Sequence, residues 1–193
     1  MLMATLWGMT VDVARLQVDV ERARQSGYVV RATRPEDAEG IARVHARVWR
    51  QTYGELVPEE FLAAMDSEAS TDRWRALLAQ HPGETRRLLG LSAGQEIVAI
   101  AASGPSRDDD PPTELELRAI NVLAAHHGTG LADLLMDSLI GMQAASLWVL
   151  RDNARARAFY SRSGFRPDGA TKGHEPTSTV ELRLVRHLVT TIE

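Results

Sequence analysis

The stretch Val122-Leu123-Ala124-Ala125-His126-His127-Gly128-Thr129-Gly130-Leu131-Ala132 constrains the fold of this chain more than any other. A strand-like run, residues 114–122, ends in a turn with two glycines, and an apolar helical pattern (Leu131, Leu134, Leu135, Leu139, Met142) begins at once. The N–H groups in the first turn of a helix lack intrahelical partners and carry the positive end of its dipole, so such a junction suits a pyrophosphate. Gly128 and Gly130 let that backbone approach an anion with no Cβ in the way. Taken alone, Gly-x-Gly is equally the signature of a tight turn. No Gly-Lys-Ser/Thr follows, so this is not a Walker A loop, and the third glycine and downstream acid of a dinucleotide fingerprint are missing from the expected places.

Around this junction the pattern alternates between strands and helices. Residues 28–32 read as a strand, and Thr33-Arg34-Pro35-Glu36 has the spacing of a capping box with Pro35 in the first turn. The helix that follows puts Ala38, Ile41, Ala42, His45, Val48, Trp49 and Thr52 on one face and should end near Gly54. Residues 58–65 and 71–80 are further helices before the His81-Pro82-Gly83 break. Residues 87–91 and 96–103 form a hairpin around Ala93-Gly94-Gln95. Residues 146–150 give a short buried strand, Asn153 caps a helix running to Ser163, and Gly164 stops it. Residues 165–169 and 179–185 close as strands. The order β-α-α-α-β-β-β-α-β-α-β-β predicts an α+β or α/β fold, a mixed sheet with helices on both faces.

A chain of 193 residues suits one such domain, here residues 28–193, with an extension at 1–27. The extension, helical or poorly ordered, leaves three uses open: a helix docked on the body, a homodimer contact, or a leader. The net charge of −4 argues against a nucleic-acid partner, since such binding rests on Lys and Arg neutralising phosphates. Its distribution is uneven, however. Five arginines (151, 155, 157, 162, 166) and one acid lie between Arg151 and Arg166, so an anion site fits an acidic chain. With no cysteine, disulfides, thiolate metal sites and a Cys nucleophile are excluded. Adjacent His126 and His127 diverge and have no third ligand close in sequence, so no metal is expected. No window is long and apolar enough for a membrane partner, and the apolar start lacks a basic n-region and cleavage site, which makes the expected compartment cytoplasmic.

A second segment gives the glycine turn its meaning. Strand residues Leu147-Trp148-Val149-Leu150 run into Asn153-Ala154-Arg155-Ala156, then Phe159-Tyr160, then Gly164-Phe165. Together with His127-Gly128-Thr129-Gly130-Leu131-Ala132, in this order and at this distance, the chain from Tyr28 to about Leu188 resembles the GNAT superfamily of N-acetyltransferases. The resemblance implies a mostly antiparallel central sheet and acetyl-CoA as cosubstrate. The two parallel strands around the glycine turn would splay apart to admit the pantetheine arm, with the thioester near Val122 and Leu123 and a main-chain N–H there facing the developing oxyanion. His127, Gly128, Thr129, Gly130, Leu131 and Ala132 would take the pyrophosphate, and Asn153, Phe159 and Tyr160 would line the cofactor side. Tyr160 stands where the family commonly places a general acid, and Glu116, five residues before Asn121, is the candidate base acting through water. Asn121 and His127 depart from the family's usual Tyr and Gln or Arg.

Trp49-Arg50-Gln51-Thr52-Tyr53-Gly54-Glu55, followed by Pro58-Glu59-Glu60-Phe61-Leu62, is similar to bacterial members that acetylate polyamines or other small amines. That likeness implies Trp49, Tyr53 and Glu55 as substrate contacts, although Trp49 also suits a core position closing a helix pair. The expected function is therefore transfer of an acetyl group to a small-molecule amine by direct attack on the thioester. The alternatives are a non-catalytic CoA-binding sensor and a protein N-terminal or lysine acetyltransferase.

Overall fold

The computed structural model describes residues 3–6, 9–54, 58–65, 68–79, 84–174 and 179–187. The chain opens with a hairpin, β1 (Met3–Leu6) and β2 (Met9–Asp12), that the sequence pattern did not reveal, and continues into helix α1 (Val13–Gln25). Strand β3 (Val29–Ala32) follows, then helices α2 (Ala38–Tyr53), α3 (Glu59–Met65) and α4 (Glu68–Ala79). Strands β4 (Arg86–Leu91), β5 (Ile97–Pro105) and β6 (Leu115–Val122) lead to α5 (Leu131–Ile140), β7 (Ala145–Leu150) and α6 (Ala154–Arg162). Strands β8 (Arg166–His174) and β9 (Thr179–Arg186) end the described chain.

Seven strands make one sheet in the order β3-β4-β5-β6-β7-β9-β8, antiparallel at every pairing except β6 with β7. Successive strand residues point to opposite faces, and β4 displays this directly. Leu89 and Leu91 pack with Ile41 of α2 and Trp74 of α4, whereas a side chain at Gly90 would meet Leu131 of α5. The helices therefore cover both faces, as the pattern predicts.

Two local details differ from expectation. The capping role falls to Asp37 rather than to Thr33 and Glu36: the Arg34 N–H donates to its carboxylate at 2.7 Å, and a 3-10 turn (Pro35–Asp37) precedes α2. Arg31 grips the same carboxylate with two bonds of 2.7 Å and holds it below the usual carboxylate range. The extension takes one of the three uses left open for it. Val20 and Ala23 of α1 are buried with Leu134 of α5, beside Tyr28 and Val30, so α1 is docked on the body. Among the described residues, no helix is long and apolar enough to cross a membrane, and no group of three or more His, Asp or Glu stands ready for a metal ion.

Candidate active site

The parallel pair β6 and β7 carries a single registered partnership, Glu116 with Ser146, and the strands part beyond it toward Val122 and Leu150. Antiparallel pairing of β6 with β5 continues on the other side, and the Leu123 N–H donates to Val98 O at 3.0 Å. Since successive peptide groups along a strand point to opposite sides, the Val122 N–H faces the gap left by β7. Of the two expected thioester neighbours, Val122 therefore offers a main-chain donor, and Leu123 has spent its own on the sheet.

A cavity of about 530 Å³ occupies this gap. One end is the glycine turn, where Gly128 (φ 75°) and Gly130 (φ 86°) adopt left-handed conformations. A Cβ at Gly128 would meet nothing within 4 Å, so that position opens on free space. Side chains brace the turn. Tyr28 Oη and His126 Nδ1 share a hydrogen bond of 2.8 Å, and Thr129 Oγ1 donates to His126 O at 2.8 Å. The His127 Nε2–H donates to Val122 O at 2.9 Å, and its Nδ1 accepts from Arg155, which fixes the tautomer. Burial pushes this imidazole down, against the bond to Val122, and Arg155 pushes it further, so His127 stays neutral at pH 7.

The middle and far end of the cavity are lined by β7, α6 and α2. Asn153 accepts from Ala156 N at 3.0 Å as the cap of α6, and its amide donates to Tyr53 Oη at 3.3 Å, joining α6 to α2. Burial raises the Tyr53 phenol, and Asn153 lowers it. Tyr160 is 8% exposed and lines the cavity; burial and then Tyr53 push its phenol up, so it keeps its proton throughout the neutral range. Trp49 and Tyr53 pack with Phe61 over Ala46, Leu62 and Met65, so Trp49 is both cavity wall and core. Phe159, Leu131 and Ala132 complete the cofactor-side residues brought together here. Glu55 lies outside the described residues.

Glu116 is not among the cavity's lining residues. It is 2% exposed and held by Arg107, whose N–H and Nε donate to Oε2 at 3.1 and 3.0 Å and whose Nη2 donates to Oε1. A buried carboxylate closed on an arginine at the base of the splay acts as a clamp between the two, and it stands apart from the cavity that a base would have to face. Glu181 of β9, paired in the sheet with Leu150, is a carboxylate on the cavity wall, with Lys172 Nζ at 3.5 Å. Sequence reasoning missed it because only the insertion of β9 beside β7 carries it there. It also missed Arg15, Asp19 and Arg22, which line the turn end from α1.

A sheet split by one parallel pair, with a two-glycine turn at one end of the gap and a buried phenol lining it, is an architecture found in acyltransferases. The chain matches the acetyltransferase (GNAT) family over residues 43–165 and belongs to it; it is an N-acetyltransferase. It is 28% identical over 134 residues to the uncharacterized N-acetyltransferase YuaI of Bacillus subtilis, covering 64% of this chain and 72% of that one. It is 26% identical over 167 residues to the probable N-acetyltransferase Rv2775 of Mycobacterium tuberculosis, covering 82% and 91%. Its fold is similar to that of a GNAT acetyltransferase from Streptococcus pneumoniae (TM-score 0.62, 17% identity, 83% and 99% covered). It is also similar to the PaiA N-acetyltransferase of Thermoplasma acidophilum, solved in complex with coenzyme A (TM-score 0.60, 16% identity, 81% and 97% covered).

Proposed function

We propose that this N-acetyltransferase moves the acetyl group of acetyl-CoA onto the amine of a small molecule by direct attack on the thioester. The observation that carries the reading is one continuous cavity running from the glycine turn, past the parted strands and Tyr160, to Tyr53 and Glu181. The turn suits a pyrophosphate: Gly128 leaves the approach open, and the first-turn N–H groups of α5 point outward from a helix start. Acetyl-CoA supplies the activated acyl group. The chain supplies position and protons.

Val122 N–H stabilises the charge that develops on the carbonyl oxygen. Tyr160, protonated at neutral pH, donates to the departing sulfur. Glu181 attracts an ammonium group into the acceptor end and takes its proton through a water molecule, the role first assigned to Glu116. Tyr53 and Trp49 give the acceptor an aromatic wall, and the likeness of their segment to members that acetylate small amines favours a small amine over a protein surface.

Thiol release from acetyl-CoA, screened against polyamines, amino acids, aminoglycosides and peptides, tests the reading. Turnover with at least one small amine is expected, and Tyr160→Phe should lower kcat about 10²-fold with an unchanged acetyl-CoA Kd. Turnover with peptides alone would transfer the protein to the protein-acetylating class. Tight binding with no turnover across the panel would make it a sensor.

A further inference from the structure

We propose that α1 belongs to the cofactor site and that Arg15 and Arg22 bind a phosphate group of the bound CoA. The inference rests on the CoA reading above and extends it to a helix that precedes the family match, which begins at residue 43.

Three observations place α1 there. A Cβ built on Gly130 would lie 2.0 Å from the Asp19 carbonyl oxygen, so the α1 backbone abuts the glycine turn itself. Val20 and Ala23, buried against Leu134, fix the rotation of the helix. Arg15, Asp19 and Arg22, spaced at i, i+4 and i+7, then share the face that lines the cavity beside Gly128 and Gly130.

Charge points the same way. Arg155 and Arg162 line this end from α6, so four arginines meet two acids, Asp19 and Asp133, in a chain whose net charge is −4. Asp19 holds Arg22 Nη1 at 3.0 Å and Arg15 Nε at 3.9 Å, while the two arginine side chains remain 54% and 61% exposed. Guanidiniums gathered by one carboxylate and still more than half exposed can face a phosphate, whose oxygens match the guanidinium fork. CoA carries two candidate sources, its pyrophosphate and its 3′-phosphate.

Calorimetric titration of the full chain with CoA and with 3′-dephospho-CoA decides the matter. Arg15→Gln with Arg22→Gln should weaken CoA binding about tenfold, a modest effect because half-exposed charges are screened by solvent. Arg15→Lys with Arg22→Lys should recover most of the loss, and Asp19→Asn should bind CoA at least as tightly as the wild type. Arg43→Gln, which removes an exposed charge of α2 outside the cavity, should bind like the wild type. A loss seen with CoA but not with 3′-dephospho-CoA assigns the arginines to the 3′-phosphate; equal losses assign them to the pyrophosphate. Unchanged binding of both ligands by the Gln pair overturns the proposal, as does an Arg43→Gln loss of the same size, which would reduce the effect to net charge. Failure of the wild type to bind CoA at all would sink the functional reading instead.

Discussion

His45 accepts a hydrogen bond from Trp49 Nε1 at 3.2 Å with Trp74 edge-on at 5.5 Å, and burial pushes its imidazole down to about 4. Asp133, in the first turn of α5, moves the other way: burial, and then Asp19, push it up to about 6. As the pH falls from the unfolded value of about 6.5 toward 4, the unfolded chain binds the His45 proton first, and stability is lost. Over nearly the same window the folded chain binds the Asp133 proton first, and stability is gained. Each effect amounts to about 3 kcal/mol at most, less for Asp133 because it keeps some solvent contact, so the two partly offset. His45→Gln should therefore gain stability relative to the wild type between pH 6.5 and 4, and Asp133→Asn should lose it, in urea unfolding followed across that range. Parallel pH profiles for all three proteins would contradict both assignments. The place of His45 on the inward face of α2 and the capping by Asn153 were legible in the sequence because each follows from spacing within a single helix. The pairing of Glu116 with Arg107 was not legible, because Arg107 returns along a loop that no periodicity describes.

At the scale of elements, the glycine turn was legible and its neighbour was not. A strand, two glycines and an amphipathic helix announce themselves locally, whereas the docking of α1 depends on Leu134, more than a hundred positions downstream. The two glycines also differ in what they tolerate. Ala at Gly128 meets only its left-handed φ, a strain of about 1–2 kcal/mol for an L-residue. Ala at Gly130 adds a methyl group 2.0 Å from the backbone of α1, so the helix must move. Gly130→Ala should thus lower Tm several degrees further than Gly128→Ala and speed hydrogen exchange across residues 13–25. Equal Tm values for the two variants would show that α1 yields at no cost.

Over the whole molecule, one buried cation holds distant chain segments together. Arg186 on β9 donates to Gly141 O at 2.6 Å, Gln143 O at 2.9 Å and Ser163 O at 3.3 Å, with its guanidinium over the Phe165 ring. It therefore ties the ends of α5 and α6 to the sheet. Burial pushes it down to about 10, which leaves it charged at neutral pH. Arg186→Met strands three carbonyls and should cost about 3–5 kcal/mol, read as a lower urea midpoint with an unchanged slope. From β3 onward the order of elements along the chain was legible. Their order across the sheet was not, because the placement of β9 between β7 and β8 is a matter of long-range pairing that local pattern does not encode.

The parting of β6 from β7 leaves a strand edge inside the protein. Edges on the outside of a sheet invite other chains to pair with them, and proteins blunt them with charge, proline or bulges. The edge of β6 carries the charged Arg118 and an irregularity in its pairing with β5, but it is also flanked by the apolar Leu117, Val122 and Val149. Its protection is access: another polypeptide strand brings side chains on both faces, for which a slot between two strands of one sheet has no room. A thin, flexible ligand arm with its own amide groups can enter where a strand cannot. The same geometry that makes the slot receptive to such an arm thus keeps a polypeptide strand from pairing with this inner edge.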